Sequence, residues 1–347
     1  MKGVVGSGLF ALLIWCGGGS RAWQASLAFA TDRDGNWEIY LSDLRGERQE
    51  NITRHPASDL YPAWSPDGSR IAFFSYRDGN AEIYLMDLRT GEVERITHNP
   101  SEDKAPCWSP DGSRIAFSSN RSGDFDIYAV ELDTGRIERL TRSPGDDILP
   151  DWSPDGRAIA FASDRTGDFE IYVLDLRDGI ERRLTDSPFL DSYPDWSPDG
   201  RKIAFTSMRD GDLEIYVMDL EGRIIAKLTD NELDDAVPRW SPDGRWIAYQ
   251  FEGEGGGWRI GLIDLATGEG LELTGEEGWS AEPAWVPHLI ASIAQPAQLL
   301  RLPWGELKLL GFREGYNENS GHSVGNRLSI CIFGPRRRDS YRGGGRR

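Results

Sequence analysis

One pentapeptide, Trp-Ser-Pro-Asp-Gly, occurs five times, beginning at Trp64, Trp108, Trp152, Trp196 and Trp240, always 44 residues apart. A degraded sixth copy, Trp285-Val286-Pro287, follows after 45. Other columns keep the same step: Phe29, Phe73, Phe117, Phe161 and Phe205 with Tyr249; Tyr40, Tyr84, Tyr128, Tyr172 and Tyr216; Thr53, Thr97, Thr141, Thr185 and Thr229. A fixed period of this length makes the chain an array of one supersecondary unit, which buries its apolar faces by stacking on its neighbours.

Each unit reads as four short strands. Leu60–Trp64 is the first. Ser65-Pro66-Asp67-Gly68 then places Pro at i+1 and Gly at i+3 of a type I turn. Arg70–Ser75 is the second strand, Arg77-Asp78-Gly79-Asn80 a hairpin signal, and Glu82–Leu88 the third strand. Thr90-Gly91-Glu92 turns the chain into the fourth, Val93–Thr97. A four-stranded unit of this length is a propeller blade. The Pro two residues before each Trp (Pro62, Pro106, Pro150, Pro194, Pro238, Pro283) places that strand at a sheet edge, facing a central channel.

Strand counting predicts an all-β, six-bladed propeller. Sets of second-to-fourth strands start near Leu27, Ile71, Ile115, Ile159, Ile203 and Ile247, but the first set has no Trp strand before it. The orphan strand Glu282–Trp285 should supply it, closing the ring and removing the open edge. The expected domains are a signal over 1–25, one propeller over 26–288 and a basic, poorly ordered tail over 289–347. That tail carries 10 Lys and Arg against 4 Asp and Glu, whereas 26–288 carries 27 against 53.

Lys2 followed by the apolar stretch Val4–Trp15 has the shape of a secretory signal. Leu13-Ile14-Trp15-Cys16 resembles a lipobox apart from Trp15, which makes Cys16 the lipidation candidate. A periplasmic or extracellular location is therefore expected, with membrane attachment only through such a lipid. A net charge of −18 has the wrong sign for binding nucleic-acid phosphates. Three scattered cysteines form neither a disulfide framework nor a zinc knuckle.

The pattern Pro-x-Trp-Ser-Pro-Asp-Gly-x-x-Ile-Ala-Phe, then Arg-x-Gly-x-x-x-Ile-Tyr and Leu-Thr, resembles the WD40-like (PD40) repeats of TolB-type propellers. The resemblance implies a non-enzymatic, secreted or periplasmic monomer that binds a protein or peptide, such as an envelope lipoprotein. Full-length TolB carries an α/β domain ahead of its propeller. Only residues 1–25 precede the first strand here, so a stand-alone propeller is expected. Similar repeats occur in propellers attached to serine hydrolases and in oligogalacturonate lyases. The alternative is accordingly a carbohydrate- or peptide-active enzyme with its site in the channel.

Antiparallel strands sort the loops by face. The second-to-third hairpins share a face with the connections between blades, and both are acidic. Five residues before the Trp stand Asp59, Asp103, Asp147, Asp191 and Asp235, with Ser280 in the sixth unit. Gathered at one channel mouth, these carboxylates would favour a basic partner or a cation, and all-oxygen ligands suit calcium. Bonding of each Asp to its own loop is the structural alternative. The hairpins add Arg33, Arg77, Arg121, Arg165 and Arg209, with Gly253 in the sixth. They serve either as partners for carboxylates of the same or a neighbouring blade or as auxiliary contacts to an anionic group. The Trp and Ile-Tyr columns read as core.

No catalytic constellation is found. Gly321-His322-Ser323-Val324-Gly325 matches a nucleophile elbow in pattern, but no His follows and no α/β domain surrounds it. The four histidines show no metal spacing, and no phosphate-binding glycine loop is present.

Overall fold

A computed structural model describes residues 26–275 and 277–287. The expected signal, Cys16, the tail and the Gly-His-Ser-Val-Gly segment lie outside the described residues. The described strands form six four-stranded antiparallel sheets and no helix, which is the expected six-bladed all-β propeller.

Blade two shows how the repeat specifies its fold. Its strands are Asp59–Trp64, Arg70–Ser75, Glu82–Asp87 and Val93–Arg95, paired in that order. In the first turn Gly68 N donates to Ser65 O at 2.8 Å, and Gly68 has φ 71°, a left-handed value that glycine takes without a Cβ penalty. Ser65 Oγ accepts from Arg70 N and donates to Asp67 Oδ1, so all four turn residues are used. The two middle strands are buried almost throughout because each sheet packs on two neighbours. Phe73 stacks on Tyr84 with ring centroids 5.9 Å apart, and the same Phe–Tyr pair recurs in blades three and four.

Blade one is assembled from both ends of the array. Its innermost strand, Ser280–Trp285, pairs antiparallel with Leu27–Thr31, setting Leu27 opposite Trp285 and Thr31 opposite Ser280. The orphan strand thus closes the ring as its sequence predicts.

Every innermost strand carries a bulge just before its Pro, seen in blade two as a register shift between Leu60 and Ala63. The extra residue is left-handed: Tyr61, Ala105, Leu149, Tyr193, Val237 and Glu282 have φ between 50° and 58°. A non-glycine residue there costs about 1–2 kcal/mol, and the bulge re-aims its side chain. In this ring Tyr61, Ala105, Leu149, Tyr193 and Glu282 line the cavity of the central channel.

Candidate functional site

The Asp column marks the start of each innermost strand and has no exposed surface: Asp59, Asp103, Asp147, Asp191 and Asp235 are all 0% exposed. Four bind the Arg of their own hairpin. Arg77 Nη2 lies 2.9 Å from both Asp59 oxygens, and Arg121, Arg165 and Arg209 pair with Asp103, Asp147 and Asp191. Each guanidinium also covers the Phe–Tyr pair of its blade; Arg77 Cζ is 4.7 Å from the Tyr84 ring centroid. Of the two roles weighed for the arginines, pairing within the blade is the one the geometry provides. None of these carboxylates presents surface to solvent, and Asp103 Oδ1 and Asp147 Oδ2 keep no hydrogen-bond partner.

The pattern fails in two blades. Blade one has Ser280 in place of Asp, and Arg33 turns to Gln49 and the Tyr40 ring. Blade six has Gly253 in place of Arg. A Cβ there would stand 2.6 Å from Arg259 Nε, so the Arg259 side chain fills the space. Asp235 keeps Asn231, at 2.6 Å, while its Oδ1 has no partner. Burial, and then the neighbouring Glu214, push its pKa well above the ordinary carboxylate range.

The Thr column serves a second buried network on the same face. Thr97 Oγ1 accepts from Ile83 N and donates to Glu82, which also holds Arg95. Thr53, Thr141, Thr185 and Thr229 accept from the matching backbone N–H in their blades.

The opposite end of the channel has a different character. Tyr61 of blade two and Tyr193 of blade five face each other across the ring, and their hydroxyls meet at 3.1 Å. This bridge crosses a vestibule of about 250 Å³ that opens towards the Trp-Ser-Pro turns, with Pro66, Pro242 and Pro287 among its lining residues. Its wall is the column immediately before the Trp: Ala63, Cys107, Asp151, Asp195, Arg239 and Ala284. No residue type is common to that column, although the Trp beside it never changes.

These wall residues staple each blade to the next in one of two ways. The Trp64, Trp108 and Trp285 indoles donate to the carbonyls of Ala284, Ala63 and Arg239 at 2.9–3.2 Å. Where the wall carries Cys107, Asp151 or Asp195, the side chain accepts the next Trp backbone N–H instead. Trp196 N reaches Asp151 Oδ2 at 2.7 Å, and Trp240 N reaches Asp195 Oδ2 at 2.6 Å. The indole N–H groups of Trp152, Trp196 and Trp240 then have no partner.

Arg239 Nη1 pairs with Asp195 Oδ1 at 3.2 Å. Burial, and next the charge of Asp195, raise the Asp151 pKa; burial raises Asp195 despite Arg239, and Glu282 is pushed up to about 8 by burial. Burial and the nearby Asp151 also hold the Cys107 thiol well above its usual value, so it is no thiolate nucleophile at neutral pH. Among the described residues, no group of three or more His, Cys, Asp or Glu side chains is arranged to hold a metal ion.

A family model, the TolB β-propeller domain of the PD40 type, matches residues 22–104, 60–189 and 171–296, most of the chain. The chain belongs to the TolB β-propeller family. Within the family's solved structures it resembles TolB from Acinetobacter baumannii, with 31% identity and a TM-score of 0.70 over 76% of this chain and 67% of that one. A chain assigned as TolB from Agrobacterium tumefaciens has 25% identity and a TM-score of 0.62, over 73% of this chain and 90% of that one. An oligogalacturonate lyase bound to manganese, at 18% identity and a TM-score of 0.52 over 71% and 73%, shares the fold alone. No curated protein sequence matches the chain.

Sequence reasoning missed the vestibule. The available signal was the variability of the position next to an invariant Trp: a column that changes from Ala to Cys, Asp and Arg in an otherwise regular array is not chosen by packing alone.

Proposed function

We propose that this TolB-family propeller is a non-enzymatic module of the cell envelope that binds a protein or peptide partner at the vestibule end of its channel. One observation carries the reading: the cavity beside the Tyr61–Tyr193 bridge is lined by side chains that change from blade to blade, Ala63, Cys107, Asp151, Asp195, Arg239 and Ala284, next to a Trp that does not. Sites of recognition concentrate where a rigid scaffold presents non-repeated groups in a concavity. We assign the Asp59, Asp103, Asp147, Asp191 and Asp235 column to holding the blades together rather than to contact. Envelope location rests on the signal-like residues 1–25 and on the TolB resemblance.

Photoreactive residues placed singly at Pro66 and Pro242, on the vestibule rim, should crosslink a partner in envelope extract. The same residue at His98, exposed on the opposite face, should not. Crosslinking from position 98 alone would overturn the assignment. Fractionation of the full chain and of Cys16→Ala tests location and lipid attachment: loss of protein from the membrane fraction only in the variant marks a lipid anchor.

A further inference from the structure

The vestibule holds more acidic than basic side chains. Three carboxylates line it, Asp151, Asp195 and Glu282, against one cation, Arg239, and Arg239 pairs with Asp195. Among the described residues no Lys, Arg or His makes a direct ion pair with Asp151 or Glu282; the Arg239 charge reaches both only from a distance and does not offset their burial. Asp151 accepts from Trp196 N and the Cys107 thiol, both neutral donors.

Glu282 is 5% exposed and lines the cavity. One of its oxygens accepts from Tyr61 N at 2.6 Å, a backbone N–H freed by the bulge. Leu149 N and Val237 N, at equivalent positions, are met by Ser118 and Thr206 of the preceding blade. The matching residue before Tyr61 is Ala30, so Glu282 takes over that task. The task occupies only Oε2; Oε1 makes no hydrogen bond among the described residues. Burial keeps this carboxyl protonated up to about pH 8, so its charge appears only when a cation meets it.

The cavity also limits the guest. At about 250 Å³ it falls just under the ~300–1,000 Å³ of small-molecule sites. The tyrosine bridge crosses it, and Trp64, Trp240 and Trp285 line its walls. That space suits one long side chain with an apolar stem and a charged head.

Resting on the binding role proposed above, we infer that the vestibule receives a single cationic side chain, a lysine ammonium or arginine guanidinium, from a peptide or protein partner, with Asp151 and Glu282 as its counter-ions. Asp151 stands on blade four and Glu282 on blade one, opposite each other in the ring, so a guest on the axis meets both walls. The other titratable groups facing it are Asp195, Arg239, Cys107, Tyr61 and Tyr193. Because burial raises the Asp151 and Glu282 pKa values, an arriving cation draws both carboxyls towards ionisation and releases protons.

The test is calorimetric titration of the full chain with capped Gly-Gly-Lys-Gly-Gly, its Arg analogue and its norleucine analogue. The Lys or Arg peptide should bind at least tenfold more tightly than norleucine and tighten as pH rises from 6 to 9. Asp151→Asn and Glu282→Gln, checked by circular dichroism for folding, should each lose at least tenfold, and His98→Ala nothing. Ala63→Trp, which fills the vestibule without touching its charges, should abolish binding and keeps the test open if an acid variant misfolds. Equal binding of norleucine, or unchanged binding in folded Asp151→Asn and Glu282→Gln, overturns the inference. Free lysine binding as tightly as the peptide overturns its peptide part. Rim crosslinking with no preference for the charged peptides overturns this inference alone; charged-peptide binding with no rim crosslink overturns only the envelope-partner reading.

Discussion

Blade six offers a natural control for the buried ion pairs. Asp59 and Asp235 occupy equivalent positions and are both 0% exposed, but Asp59 has Arg77 and Asp235 has no arginine. Asp59→Asn leaves the Arg77 guanidinium facing a neutral amide in a largely buried site. Breaking a buried pair costs about 3 kcal/mol, which at ~2–4 °C per kcal/mol is a fall in Tm of roughly 6–12 °C. Burial raises the Asp59 pKa as well, with Ser75 and Arg77 opposing it, so Asp59→Asn should show the weaker pH dependence; Asp235, with no arginine, should show the stronger one. An acid whose pKa is higher in the folded than in the unfolded state takes up a proton on folding. The wild-type side chain is therefore most favourable below the unfolded value, and its contribution is lost as pH rises towards the folded one. Asparagine removes that dependence. Relative to wild type, the stability of Asp235→Asn should rise by about 1.4 kcal/mol per pH unit from about pH 4 up to the raised pKa of Asp235. Urea unfolding followed by Trp fluorescence at pH 4, 5, 6 and 7 measures both variants. If Asp235→Asn is as destabilised as Asp59→Asn, or its difference from wild type is flat with pH, the account of the unpaired carboxyl is wrong.

Three further measurements probe the channel. Trp108→Phe loses an indole bond to Ala63 O, whereas Trp152→Phe removes a buried N–H that had no partner; denaturant unfolding should find the first less stable by about 2 kcal/mol. Tyr193→Phe deletes the cross-channel hydroxyl contact and should cost about 1 kcal/mol in the same assay, with the fold unchanged by circular dichroism. Ala105→Gly relieves about 1 kcal/mol of left-handed strain and gives back a similar amount in unfolded-chain entropy, so its thermal midpoint should stay within a few degrees of wild type; a large loss would show that the bulge is held by something other than backbone preference.

The ring was legible because its signals are local and repeated. Trp-Ser-Pro-Asp-Gly fixes a turn, the Pro before the Trp fixes an edge, and a missing Trp strand at one end with a spare at the other predicts the closure between Leu27–Thr31 and Ser280–Trp285. The Asp and Arg columns were legible as columns and as candidate partners. Which partners they take depends on the hairpin folding back onto the start of the innermost strand, a distance of eighteen residues that spacing does not reveal. The bulge was not legible at all. Tyr61, Ala105, Leu149, Tyr193, Val237 and Glu282 share no property that announces a left-handed backbone, and without the bulge the side chains that line the channel cannot be named.

The join between Leu27–Thr31 and Ser280–Trp285 also orders events in time. Five blades can be completed from sequence already at hand, but the first waits for the last strand the ribosome adds to the array. Until then the edge of Leu27–Thr31 lies bare, able to pair with a stranger. Closing the wheel is therefore both the final act of folding and the moment at which the chain ceases to invite aggregation.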